Sequence, residues 1–157
     1  MNQPKIVVGI NGSIASQAAL RWAAAEGALR GARVEAVYAW EWTSGLHAYY
    51  APLSKRTSRE DERRAAMDVA ERAVRELGGG DVAPVVVEGP PAQVLLRATD
   101  DAELLVLGTR EAEGEPYPVI NPVVSACLLR AHCPVVVVLP GMTHGRPLEG
   151  AFAGSRA

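Results

Sequence analysis

The chain has 157 residues, a net charge of −2, and 48% hydrophobic but only 5% aromatic residues, so one domain with an Ala/Val/Leu core is expected. No basic block supports nucleic-acid binding, and Arg130 interrupts the longest apolar run, which argues against a membrane span. Cys127 and Cys133 form neither a CxxC pair nor a disulfide framework, so reduced thiols and a cytoplasmic location are expected.

Met1-Asn2-Gln3-Pro4-Lys5 leads directly into a strand, so no signal peptide is expected. The unbroken run Lys5–Ile10 is the pattern of a strand buried on both faces. Asn11-Gly12-Ser13 turns the chain; Gly12 can take positive φ, and Ser13 or Ser16 can cap the following helix. Ala15, Ala18, Ala19, Trp22, Ala25 and Leu29 recur at helical spacing until Gly31, and Val34 to Trp40 reads as a second strand. From Glu41 to Thr57 the chain is irregular. His47, Tyr49 and Tyr50 there could cover a pocket or meet a partner, although an ordinary surface loop is the simpler reading.

Ser58-x-x-Asp61 is a capping box opening a charged amphipathic helix. Its expected buried stripe is Ala65, Met67, Val69, Ala70, Ala73, Val74 and Leu77, with helix-spaced pairs Glu60/Arg64 and Glu71/Arg75 outside. Gly78-Gly79-Gly80 stops it. Val82–Val87 is a third strand, Ala92–Thr99 a short helix after Pro90-Pro91, and Glu103–Leu107 a fourth strand. Val123–Ala131 is the last helix and Val135–Leu139 the last strand. Residues 1–140 make the domain, and 141–157, without periodicity, are expected to be a flexible tail or arm.

Strands alternating with helices imply right-handed crossovers: an α/β fold, doubly wound, with a five-stranded parallel sheet and helices on both faces. Its switch point brings the loop Ile10–Ser13 beside the loop leaving Gly108, which is where ligands sit in such sheets.

With both loops in view, the chain resembles the universal stress protein family. The resemblance rests on Lys5-Ile6-Val7-Val8-Gly9-Ile10-Asn11-Gly12-Ser13, Arg21-Trp22-Ala23, Arg30-Gly31-Ala32, Glu88-Gly89-Pro90-Pro91-Ala92, Val106-Leu107-Gly108-Thr109-Arg110 and Leu129–Val138. It covers residues 4–139 and implies strand order 3-2-1-4-5, with a homodimer through the last strand, Val135, Val136, Val137 and Val138. Many members bind ATP with Mg²⁺ through a loop of Gly, two residues, Gly, nine residues, Gly, then Ser or Thr. Laid on this chain without gaps, the positions are Gly108, Glu111, Asn121 and Pro122, so only the first is kept. Asn11 stands where ATP-binding members carry a carboxylate.

The departures have physical consequences. A phosphate cradle converges backbone N–H groups at a helix N-terminus. Pro122 has no N–H, and Glu111, Glu113 and Glu115 outnumber Arg110. One like-charge pair at about 4 Å costs from about 1 kcal/mol in water to about 4 kcal/mol at an effective dielectric near 20. Asn121-Pro122 is also a good helix start, Asn as cap and Pro in the first turn, and that reading is preferred to ligand contact. Gly114 reads as a hinge and Arg110 as a partner of the local acids. Asn11 remains open between a ligand-facing hydrogen-bonding group and a turn residue tolerating unusual φ. Ser13 is explained as a cap. Cys127 reads as core, and His132 and His144 lack ligand partners at metal spacing.

Three functions compete. The first is a non-enzymatic stress-response protein without cofactor, ATP binding lost, acting by dimerisation and partner contact. The second is an ATP-binding nucleotide sensor. Its site would draw on Ile10, Asn11, Gly12, Ser13, Ala39, Gly108, Arg110 and Val123, with Val106 also lining the adenine pocket. The third is an enzyme, which is disfavoured. The acidic pair of a phosphoacceptor domain is missing after the first strand, as is the Ser-Gly-Gly-x-Asp-Ser loop of an AMP-forming pyrophosphatase-type enzyme.

Overall fold

The β-branched runs form the strands Lys5–Ile10 (β1), Arg33–Trp40 (β2), Val82–Glu88 (β3), Leu104–Gly108 (β4) and Val135–Val138 (β5). In the computed structural model, which describes residues 2–42, 58–110, 120–142 and 144, they make one sheet in the order β3-β2-β1-β4-β5. All pairings are parallel, with Ile6 opposite Val34 on one side and Leu104 on the other. The helices are Ile14–Arg30 (α1), Arg59–Arg75 (α2), Pro91–Ala98 (α3) and Pro122–Arg130 (α4), and a 3₁₀ turn at Thr99–Asp101 follows α3. Sheet order and layering agree with the sequence reading. Readings that fall on 43–57, 111–119 and 145–157 lie outside the described residues.

Alternation of side chains along the strands divides the core into two halves. Ile6, Val8, Ile10, Ala36 and Val106 meet α1 and α2 on one face, and Val7, Val37, Leu105 and Leu107 meet α3 and α4 on the other. Ile6, Val7 and Val8 have no exposed surface, as a strand at the centre of a covered sheet requires.

The helix faces differ from expectation. α1 buries Ser16, Ala18, Ala19, Leu20, Ala23 and Gly27, whereas Leu29 is 76% exposed and Ala15, Trp22 and Ala25 are half-buried. The helix is apolar nearly all round, so hydrophobic spacing has little contrast. Beside Leu20 the buried face is made of small residues, and at Gly27 nothing larger fits: a Cβ there would stand 2.7 Å from Val34 Cγ2. On α2 the same preference for small residues buries Ala66, Ala70 and Ala73, and Ala65 is exposed.

The punctuation was legible. Gly31 ends α1 with φ 64°. Ser58 Oγ accepts from the Asp61 amide at 3.1 Å while Asp61 accepts from the Ser58 amide at 3.3 Å, completing the capping box. Glu71 pairs with Arg75 at 3.8 Å, but Glu60 takes Arg63 at 3.4 Å instead of Arg64. No helix among the described residues is long and apolar enough to cross a membrane.

Candidate functional site

β1 runs to β2 on one side and β4 lies on its other side, so a cleft opens where their carboxyl ends diverge. The turn after β1 is tied to itself. Asn11 Oδ1 accepts from the Ser13 amide at 3.0 Å, and Ser13 Oγ accepts from the Ser16 amide at 3.1 Å, capping α1. The Ser16 hydroxyl donates to the Ser13 carbonyl at 3.0 Å and accepts from the Asn11 amide at 3.3 Å. Gly12 takes the positive φ, 79°, and no non-glycine among the described residues does. The expectation that Asn11 tolerates an unusual φ is therefore replaced: its side chain makes an Asx turn from ordinary backbone.

On the far wall, β4 ends at Gly108 directly on the first turn of α1. A Cβ there would lie 2.2 Å from the Ala15 carbonyl oxygen and 2.4 Å from its carbon. The glycine is thus required by helix–strand packing whether or not a ligand is present. Beyond it, Asn121 Oδ1 accepts from the Val124 amide at 2.9 Å, the Asn121 carbonyl accepts from the Ser125 amide at 2.9 Å, and Pro122 begins α4. Helix initiation, the preferred reading of Asn121-Pro122, is what these atoms do.

Between these walls lies a cavity of about 150 Å³, lined in part by Ile10, Asn11, Ser13, Ala39, Gly108 and Val123. Six of the eight candidate residues come together there. Beside it, an open groove of about 720 Å³ shares Asn11, Ser13, Gly108 and Asn121 and adds Arg110 and Pro140. Gly12 lines neither space, and Val106 is wholly buried on the α1 side of the sheet, so it cannot wall the pocket as expected. Sequence reasoning missed Val37, Leu95, Leu107 and Val124, which make the cavity's apolar walls. Val37 was within reach, because it shares a strand face with Ala39. Leu95 and Leu107 come close because β1 carries Gly9, where a Cβ would meet Leu107 at 2.8 Å and Leu95 at 3.1 Å.

Several charged groups outside the cleft are paired. Lys5, 7% exposed, holds Asp101 and lies 3.6 Å from Glu35; the ammonium keeps the Asp101 carboxyl below its ordinary range. His132 Nδ1 stands 2.7 Å from Asp100, and no cluster of three or more metal-ligating side chains occurs among the described residues. Cys127, with no exposed surface, packs in the α4 half of the core, and burial pushes its thiol up, which makes it unreactive.

The family model for universal stress proteins matches residues 3–138, which is most of the 157-residue chain. The chain belongs to the universal stress protein family. A universal stress protein of Mycobacterium tuberculosis (strain H37Rv) is 32% identical over 138 residues, covering 85% of this chain and 46% of that one. The chain thus spans about half the length of the curated relatives it matches. Among solved universal stress proteins, UspA from Lactobacillus plantarum superposes with a TM-score of 0.65 at 20% identity, covering 88% of this chain and 99% of that one. The Archaeoglobus fulgidus protein in complex with dAMP superposes with a TM-score of 0.54 at 26% identity, covering 87% and 97%. Of the universal stress protein loop positions, the third and fourth here are the cap and first residue of α4, and the second, Glu111, lies outside the described residues.

Proposed function

We propose that this universal stress protein acts in the stress response without catalysing a reaction, that it has lost the triphosphate cradle, and that it works through self-association and contact with a protein partner. One observation carries this reading. At the α4 N-terminus Pro122 has no N–H, and Asn121 occupies the Val124 N–H at 2.9 Å. Two of the donors that a phosphate would use at a helix start are therefore missing or taken. The α1 start is likewise engaged with Ser13 and Asn11.

The test is calorimetric titration of ATP with Mg²⁺ into nucleotide-stripped protein, beside a Glu111→Gly/Asn121→Gly/Pro122→Ser variant. Silence of the native chain at millimolar ATP with binding by the variant is the expected result. Micromolar binding by the native chain overturns it.

A second reading, a nucleotide-dependent sensor, is favoured by the cavity itself. Its apolar walls and adjoining groove leave room for a flat ring system with a short polar arm. The dAMP held by the Archaeoglobus protein is a ligand of that shape with a single phosphate. Titration with AMP in the same experiment separates the readings: binding of AMP but not ATP assigns the cleft to nucleotide sensing without a triphosphate.

A further inference from the structure

The chain does not simply leave the sheet after β5. The Met142 amide donates to the Leu139 carbonyl at 3.1 Å, the Leu139 amide donates to Met142 Sδ at 3.4 Å, and Gly141 supplies φ 88°. Pro140 in this turn walls the open groove. Further on, His144 lies against α1. Its Nε2 is 2.5 Å from Glu26 Oε2, and its ring stands edge-on to Trp22 with centroids 5.1 Å apart. Trp22 and Glu26 are one helical turn apart and so present one flank. The His144 and Glu26 side chains are each only 15% exposed, so the pair is shielded in a way surface ion pairs are not.

We propose that His144 is the clasp of a proton-sensitive strap that fastens the chain after β5 to the flank of α1, beside the groove that Pro140 walls. The neutral imidazole donates a hydrogen bond in which only the Glu26 acceptor is charged, whereas the imidazolium brings the opposite charge to the donor as well and strengthens it. Acidification through the range in which imidazoles take up a proton therefore tightens the strap. Hydrogen bonds from His144 first and Arg30 second hold the Glu26 carboxyl below its ordinary value of 4.5. It stays charged throughout that range, and the clasp weakens only when still stronger acid protonates it. Arg30 Nε, 2.5 Å from Glu26 Oε1, is the other charged group that faces the pair among the described residues, and it does not titrate.

The experiment is ¹H–¹⁵N spectroscopy of the full chain from about pH 8 to about pH 5, bracketing the imidazole range. It follows the Trp22 indole signal and the hydrogen exchange of the Leu139 and Met142 amides, corrected for intrinsic rates. The Trp22 signal is expected to move with a single histidine titration, and protection of the two amides is expected to rise by about fivefold toward acid. Both responses should vanish in His144→Gln and persist in His132→Gln. Glu26→Gln should keep the ring contact but lose the rise in protection. A Trp22 titration that survives His144→Gln overturns the proposal. So does one that leaves amide protection unchanged, because the contact would then fasten nothing.

Discussion

Gly108 illustrates how much one residue can be asked to explain. It is the position kept when the family's nucleotide loop is laid on this chain without gaps, and it invites a ligand-based account. The 2.2 Å approach that a Cβ would make to the Ala15 carbonyl gives it a different reason. Backbone, not a flexible side chain, is the obstacle, so β4 or α1 would have to shift. Gly108→Ala should therefore destabilise the fold by about 1–3 kcal/mol, as overpacked sites do. Urea unfolding monitored by circular dichroism measures it, and an unchanged midpoint would show that the two elements can separate freely. Asn121 has a similarly local role. Asn121→Ala should cost about 1 kcal/mol through loss of the cap, and Asn121→Ser should recover most of it. If Ser fails to rescue stability, the Asn121 amide is doing something other than capping. Asn11 was left open by its sequence, because a turn residue and a ligand-facing amide have the same composition. The bond from the Ser13 amide to its side-chain oxygen gives it the turn role, and the same residue also lines the cavity.

At the scale of elements, strand positions and helix ends were readable because their signals are chemical and local. Buried parallel strands are apolar on both faces, and Ser58, Gly31 and Asn121 stop or start helices by atoms they carry themselves. Helix faces were less readable, since α1 is apolar on nearly every side and its orientation depends on which small residues the sheet admits. Leu29 looked like core and is 76% exposed, whereas Gly27, outside the expected stripe, lies under Val34. The cavity was partly readable for the same reason. Its rim comes from loop residues next to recognisable strands, while Leu95 and Leu107 reach it only because Gly9 makes space. The capping box on α2 gives a pH-dependent expectation. The Ser58 hydroxyl, followed by its backbone amide, holds the Asp61 carboxyl below its ordinary value of 3.8. A depressed carboxyl contributes stability that is full above that value and disappears as pH falls through the lower folded one. The stability gap between the native chain and Ser58→Ala should therefore be constant from neutral pH down to about pH 5 and narrow in stronger acid, the bond from the Asp61 amide to the hydroxyl remaining. Equilibrium unfolding at several pH values measures it; a gap that is undiminished at about pH 2 would mean that the hydroxyl alone, not the carboxylate, makes the cap.

For the whole molecule, the proposed self-association turns on the outer edge of β5. The sheet order leaves β3 and β5 at the two edges, and they are not equivalent. β3 carries Pro84, which blunts it as a template, whereas β5 is four consecutive valines. The carbonyls of Pro134 and Val138 accept from the amides of Leu105 in β4 and of Thr109 just after it. By the alternation of a parallel ladder, the N–H and C=O of Val135 and Val137 then point away from the sheet. Val135, Val136 and Val137 are also half-buried rather than covered, so the edge offers both hydrogen bonds and apolar surface. If self-association uses this edge, Val137→Pro removes one outward donor and should convert the dimer to monomer while leaving the β4 pairing in place. Sedimentation velocity across a concentration series reads that change, and Val82→Pro on β3 serves as the control edge. A Val137→Pro chain that remains dimeric would move the interface elsewhere. The exposed Leu128 and Leu129 of α4 would then be the next surface to test, at 49% and 82% exposure. A native chain that is already monomeric would end the self-association reading and leave an unlike protein as the partner for this edge.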